Sequence, residues 1–211
     1  MKNTLLLRSF SKKIFYRKMK KIAVYCASSA KIDPLFFDAA KRLAKILVEN
    51  GFHVVTGAGS VGLMGAVADA VLEAEGEITG VIPEFMKKVE WDHKGIKNLI
   101  VTETMAERKT ILFTGVDAVI ALPGGCGTLE ELFEVITLKR LGLYHKPILI
   151  LNTKNYYAPL REMLEKCVEE NFLAKVHLQM WTFIDEPEDF MFAYNNAAEW
   201  SEDAIKLAVV R

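Results

Sequence analysis

The sequence predicts an α/β protein built on a doubly wound, mostly parallel sheet with helices on both faces, and three observations carry that expectation. From Lys21 onward, short apolar or β-branched runs alternate with longer segments of helical period. Each switch carries turn chemistry rather than an arbitrary polar stretch. Two glycine-rich turns, at 57–62 and 123–127, each follow a strand-like run and lead into a helical one. The chain has 211 residues, 51% hydrophobic and 26% charged, which is enough to bury a sheet on both faces.

The elements follow in order. Residues 21–26 (KIAVYC) read as the first strand. Asp33-Pro34 supplies an N-cap and an N1 proline for a helix running to Asn50, with Gly51 as its stop. Residues 52–56 form the second strand; the glycine turn 57–59 then enters a helix through Glu75, closed by Gly76. A third strand spans 78–82. Residues 83–98, carrying charges, Trp91 and His93, read as a long loop over the strand ends. A short strand at 99–101 and a helix from Met105 to Gly115 precede a central strand at 117–122. The helix after it ends near Leu141. Strands at 147–151 and 181–184 flank a helix over 157–170, and short helices close the chain.

Composition excludes several classes. Lys plus Arg and Asp plus Glu are both 27, so no global basic field attracts nucleic acid or an anionic membrane. Residues 1–18 hold six basic side chains and no acidic one, which leaves residues 19–211 mildly acidic. That basic extension has too short an apolar run for a secretory core or a membrane span. It reads as an upstream start or a loosely ordered arm, with a single nucleotide-binding domain over 19–211. Three cysteines without metal spacing suit a reducing cytoplasm, and four scattered histidines suggest no metal site.

The run Leu122-Pro-Gly-Gly-Cys-Gly-Thr-Leu-Glu-Glu131 is the most informative stretch. Nearly bare backbone at the carboxyl end of a strand and the amino end of a helix favours an anion, through free N–H groups and the helix dipole. No Gly-Lys-Ser/Thr follows, so a monophosphate fits better than ATP. The other turn, Gly57-Ala-Gly-Ser-Val-Gly62, formally matches a dinucleotide fingerprint. It follows the second strand, however, and Glu77 precedes the third strand where a ribose-binding acid would end it, so a dehydrogenase is disfavoured. Gly62 and Gly65 also suit close helix–sheet packing. Arg108 and Lys109 enter a helix just before the central strand; Arg108 could hold an anion or a leaving base. Thr128-x-x-Glu131 reads on its own as a capping box, although the same carboxylate is placed to stabilise a cationic transition state.

Together, Gly57-Ala-Gly-Ser-Val-Gly-Leu-Met-Gly65, Met105-x-x-Arg-Lys109 and Pro123-Gly-Gly-x-Gly-Thr-x-x-Glu131 resemble the LOG family of cytokinin riboside 5′-monophosphate phosphoribohydrolases, over residues 20–172. The resemblance implies a Rossmann-like homodimer that cleaves the N-glycosidic bond of N6-modified AMP to free base and ribose 5-phosphate, without cofactor or metal. It makes Arg108 and Glu131 the catalytic pair. Gly124, Gly125, Gly127 and Thr128 match its phosphate-binding turn. Gly59, Glu90, Met105, Lys109, Glu130 and Thr137 align with positions at the nucleotide site. Some relatives carry an old label of lysine decarboxylase, for which the sequence offers no Schiff-base context.

This chain departs from the family pattern at Ala58, within a turn that many relatives write Gly-Gly-Gly, at Ala27 and at Ala106. An added methyl is expected to leave the fold safe, while 84–94 could shape a different base pocket. The alternatives are a general purine-monophosphate nucleosidase and a non-enzymatic nucleotide or molybdenum-cofactor carrier on the same fold. Apolar residues around the 128–141 helix, Leu129, Leu132, Phe133, Val135, Ile136 and Leu138, require cover from the chain itself or from a second subunit.

Overall fold

The computed structural model describes residues 19–89 and 91–208. The basic extension 1–18 and Glu90 therefore lie outside the described residues. Seven parallel strands form one sheet in the order β4-β3-β2-β1-β5-β6-β7. They are β1 (Lys20–Tyr25), β2 (Phe52–Thr56), β3 (Ile78–Pro83), β4 (Asn98–Thr102), β5 (Ala118–Ala121), β6 (Ile148–Leu151) and β7 (Thr182–Ile184). The order reverses between β1 and β5, so the crevice of this doubly wound sheet opens above their carboxyl ends.

Alternation within β1 shows how both faces are filled. Ile22 and Val24 pack into one core with α1 (Pro34–Glu49) and α2 (Gly62–Glu73), whereas Ala23 and Tyr25 pack into the other. That second core takes Leu112 from α4 (Met105–Phe113), Leu132 and Val135 from α5 (Cys126–Arg140), and Leu164 from α6 (Ala158–Glu169). A four-residue helix, α3 (Glu84–Lys87), and a short α7 (Phe190–Asn195) complete the set.

Local chemistry explains most boundaries. The Asp33 carboxylate accepts from Leu35 N–H at 2.9 Å, Pro34 opens α1, and Gly51 closes it at φ +73. At the end of α2 the expectation needs correction. The helix stops at Glu73, and the left-handed residue is Glu75 (φ 56), not Gly76. Gly76 N–H returns to Val71 O at 2.9 Å, closing a six-to-one bond. A side chain there would strike Val48 of α1, so glycine is needed for helix packing. The expected loop 83–98 also holds more regular structure among its described residues than its polarity suggested. It contains α3, and Gly59 bridges to Asp92.

Ala58 is not a neutral methyl. It sits at φ 63, fully buried, in a conformation that costs a non-glycine residue about 1 kcal/mol. Gly62 is constrained more strongly. Its φ is +69, and a Cβ would come within 2.5 Å of Ser28 C, 2.7 Å of Ser29 O and 2.8 Å of Ala27 O. A Gly62→Ala substitution combines a left-handed strain with a collision against rigid backbone, so urea unfolding should show a loss of about 3 kcal/mol.

Candidate active site

The cleft above β1 and β5 occupies about 720 Å³, within the roughly 300–1,000 Å³ typical of small-molecule sites. Five successive strand ends contribute to it. Ala27 to Ser29 follow β1, Gly57 and Gly59 to Val61 follow β2, and Ile82 lies near the end of β3. Met105 and Arg108 follow β4, while Gly125 to Thr128 and Glu131 follow β5. Among the described residues lining it, Arg108 and Glu131 are the charged ones, and no lysine is present.

These two meet directly. Arg108 Nη1 donates to Glu131 Oε1 at 2.6 Å, and Arg108 Nε donates to Val81 O at 3.1 Å. Gly57 makes room for the guanidinium, because a Cβ there would overlap Arg108 Nη2. The pair is nearly closed from solvent, with side chains 9% and 12% exposed. Burial raises the Glu131 carboxyl above its ordinary range, and the charge and hydrogen bond of Arg108 oppose that rise.

The capping-box expectation for Thr128 and Glu131 fails here. Helix α5 begins two residues earlier, at Cys126, with Gly125 as N-cap and no side-chain cap bond. Thr128 lies inside the first turn, where its hydroxyl rests against Gly124, and Glu131 turns to Arg108. A working cap sits instead on α4, where Thr104 Oγ1 accepts from Glu107 N–H at 3.1 Å and Glu107 accepts from Glu103 N–H at 2.9 Å.

The two glycine turns differ in what they leave available. At α2, the N–H groups of Leu63 and Met64 both donate to Ala27 O, at 2.9 and 3.2 Å. Its amino terminus is therefore plugged by the chain itself. At α5, Leu129 N–H is the first to close a bond, to Gly125 O at 3.0 Å, and the N–H groups of Cys126, Gly127 and Thr128 have no acceptor among the described residues. A Cβ at Gly125 or Gly127 would meet nothing within 4 Å. Of the two turns, the α5 turn is the one that keeps unpaired amides among the described residues, an arrangement in which bare N–H groups and the helix dipole favour an anion.

The remaining expected site residues divide. Gly59 and Met105 line the cleft, while Gly124 lies behind the turn. Lys109 pairs with Glu130 at 2.8 Å and Glu134 at 3.3 Å, and Thr137 donates to Phe133 O at 2.7 Å; none of Lys109, Glu130 and Thr137 lines the cleft. Sequence reasoning named no site role for Met64 or Cys126, which line it, whereas Met86 and Trp91, also lining it, fall in the 84–94 segment expected to shape the base pocket. The signal for two of them was position alone. Residues 91–93 fold back on the first glycine turn, with Ser60 N–H donating to Trp91 O at 3.0 Å and His93 N–H to Ala58 O at 2.8 Å. No group of three or more His, Cys, Asp or Glu among the described residues is arranged to hold a metal ion.

Fold and site together define a Rossmann-like α/β protein with unpaired amides at the start of α5 and a buried acid–guanidinium pair. A family model described as "Possible lysine decarboxylase" matches residues 64–193. The chain is 40% identical over 157 residues to the cytokinin riboside 5′-monophosphate phosphoribohydrolase LOG2 of Arabidopsis thaliana, covering 74% of each chain. It is 41% identical over 153 residues to the probable cytokinin riboside 5′-monophosphate phosphoribohydrolase LOGL1 of Oryza sativa subsp. japonica, covering 72% of this chain and 69% of that one. The chain belongs to this LOG family. Among solved structures, a molybdenum cofactor binding protein from Rippkaea orientalis superposes with a TM-score of 0.66 at 22% identity, covering 85% of this chain and 97% of that one. A molybdenum cofactor carrier protein from Chlamydomonas reinhardtii gives 0.65 at 20%, covering 85% and 98%. Those likenesses establish the fold alone.

The cap assignment is testable. A Thr104→Ala substitution should lower stability by about 1 kcal/mol in a urea titration.

Proposed function

We propose that this chain hydrolyses the N-glycosidic bond of N6-substituted adenosine 5′-monophosphates, releasing the free base and ribose 5-phosphate. The observation that carries the reading is the Arg108–Glu131 contact at 2.6 Å, in a cleft that also holds the unpaired amides of α5. Relatives at about 40% identity are named for this reaction. The cleft chemistry disfavours the decarboxylase description, since no lysine among the described lining residues could form a Schiff base.

In this reading the 5′-phosphate sits on the amides of Cys126, Gly127 and Thr128, which anchors the sugar without any cation. Binding energy from that remote group holds the reacting carbon in place. As the C1′–N bond breaks, its electron pair leaves with the base and the ribose becomes cationic. The Glu131 carboxylate faces that charge and takes a proton from the attacking water, whose hydroxyl completes the ribose. The departing base gains a proton from solvent and Glu131 returns its own to solvent, so the net change is the addition of one water. Arg108, always charged and held at Nε and Nη1, keeps donors for the nucleotide and lowers the cost of burying Glu131.

The test is to incubate the protein with isopentenyl-AMP and with AMP, and to follow free base and ribose 5-phosphate by chromatography. Both products should form in equal amounts, faster from the N6-substituted substrate. A Glu131→Gln variant keeps an acceptor for Arg108, so it should retain a folded circular-dichroism spectrum while losing at least about 100-fold in turnover. Activity needs the ionised carboxylate, which is lost as pH falls. Because burial raises that carboxyl, the acid limb of kcat/KM should lie above the ordinary carboxylate range. Equal turnover by Glu131→Gln would refute the mechanism. Tight binding of a monophosphate without cleavage would identify a carrier.

The quaternary proposal is a homodimer. The chain's own second core buries Leu132, Val135 and Ile136 and partly covers Leu129 and Leu138, but Phe133 stays 39% exposed on α5. Light scattering should give about twice the chain mass of 23.7 kDa, and a monomer mass would remove the claim. No helix among the described residues is long and apolar enough to cross a membrane, and the three free cysteines suit the cytoplasm, the compartment we propose.

A further inference from the structure

The turn that forms the anion seat has its carbonyls held from behind. Leu122 O accepts from Tyr157 Oη at 2.8 Å, Pro123 O accepts from Ala27 N–H at 3.3 Å, and Gly124 O accepts from Tyr156 Oη at 2.7 Å. Gly125 O is taken by Leu129 N–H at 3.0 Å. Four consecutive carbonyls are thus engaged by the protein. In a planar trans peptide the C=O and the following N–H point in opposite directions, and the described chain contains no cis bond. Pulling Gly124 O toward Tyr156 therefore turns the Gly125 N–H the other way, at a residue that lines the cleft. That N–H has no acceptor among the described residues.

Glycine makes such control necessary. Gly124 and Gly125 have no side chains to limit rotation of the peptide between them, and a Cβ at Gly125 would meet nothing. Tyr156 is itself held firmly. Its ring meets Phe36 edge-on at 6.0 Å and Tyr157 at 5.0 Å. The two residues before it, Lys154 (φ 55) and Asn155 (φ 59), are both left-handed, a conformation that non-glycine residues adopt at a cost. Asn152 Nδ2 steadies that loop through Asn155 Oδ1 and Asp185 Oδ1, both at 3.0 Å, and Lys154 pairs with Asp33 at the start of α1. The strained loop delivers a tyrosine hydroxyl to the back of the seat.

We propose that Tyr156 is a positioning residue for phosphate recognition: its hydroxyl holds Gly124 O so that the Gly125 N–H joins the amides of α5 as a donor to the anion. This inference rests on reading the α5 turn as the phosphate seat. Tyr157 provides a matched comparison. Its hydroxyl makes the same kind of bond to Leu122 O, but the next residue is Pro123, which has no N–H to aim.

The experiment compares the full-length chain with Tyr156→Phe and Tyr157→Phe, each losing one hydroxyl and keeping its ring. Inorganic phosphate and ribose 5-phosphate are titrated as ligands, and isopentenyl-AMP is used for kinetics. Tyr156→Phe should weaken both anions and raise KM by about 5- to 10-fold with kcat within about twofold, since one ordinary donor is lost from the seat. Its melting temperature should fall less than that of Tyr157→Phe, because Tyr156 is 44% exposed and Tyr157 only 1%. Tyr157→Phe leaves a buried carbonyl unpaired, so it should melt lower while binding phosphate as the wild type does. Equal anion affinity in Tyr156→Phe and wild type, or equal weakening in both variants, overturns the assignment while the hydrolase reading stands. A wild type that binds phosphate in a Tyr156-dependent way but releases no base overturns the hydrolase and leaves the positioning role. A wild type that binds neither anion refutes both.

Discussion

The contact between Glu131 and Arg108 constrains everything around the cleft, because two nearly buried opposite charges tolerate little error in placement. Removing both from water is expensive, and the attraction between them offsets this only when the remaining donors are also satisfied. The protein meets that condition at Nε and Nη1 and leaves Nη2 facing the cleft residue Gly57. Val81 O accepts from Nε, and the absence of a side chain at Gly57 admits Nη2. The elements involved are far apart in sequence, and they meet because every parallel strand releases its loop at the same edge of the sheet.

That shared edge also explains why two similar glycine turns have different fates. Both open a helix beside the β1 end, and a helix amino terminus there must place its free N–H groups somewhere. At α2 they are consumed by Ala27 O, and Gly62 is the residue that lets the chain come close enough for this. At α5 no acceptor among the described residues reaches them, and the neighbouring carbonyls are drawn away by Ala27, Tyr156 and Tyr157. One turn is internal mortar, and the other is left to bind. Their difference lies in what backs each turn, and glycine spacing carries no record of that.

Elsewhere the chain holds polar groups that no pattern announced. Lys139 of α5 is 1% exposed, and burial lowers its amine to about 8. Its Nζ donates to Lys146 O at 2.8 Å, and its own carbonyl accepts from Trp200 Nε1 at 2.7 Å, so the end of α5 is fastened to the C-terminal segment. On an isolated helix this residue would face water. Packing of residues 200–208 over α5 closes that route.

Periodicity, caps and glycine stops determined the strand–helix order from sequence alone, because these are local effects: β2 occupies 52–56 as expected, and α1 begins at Pro34 under its Asp33 cap. The motif trio likewise marked Arg108, Glu131 and the α5 turn as belonging together. Tertiary structure alone decided what the same four-residue pattern means in two places. Thr104-x-x-Glu107 caps α4, whereas in Thr128-x-x-Glu131 the threonine lies within α5 and the glutamate reaches a guanidinium from another helix. A cap forms when the nearest unmet N–H is the helix's own. At α5 a buried cation 23 residues away competes for the carboxylate, and only the folded sheet edge brings it within reach.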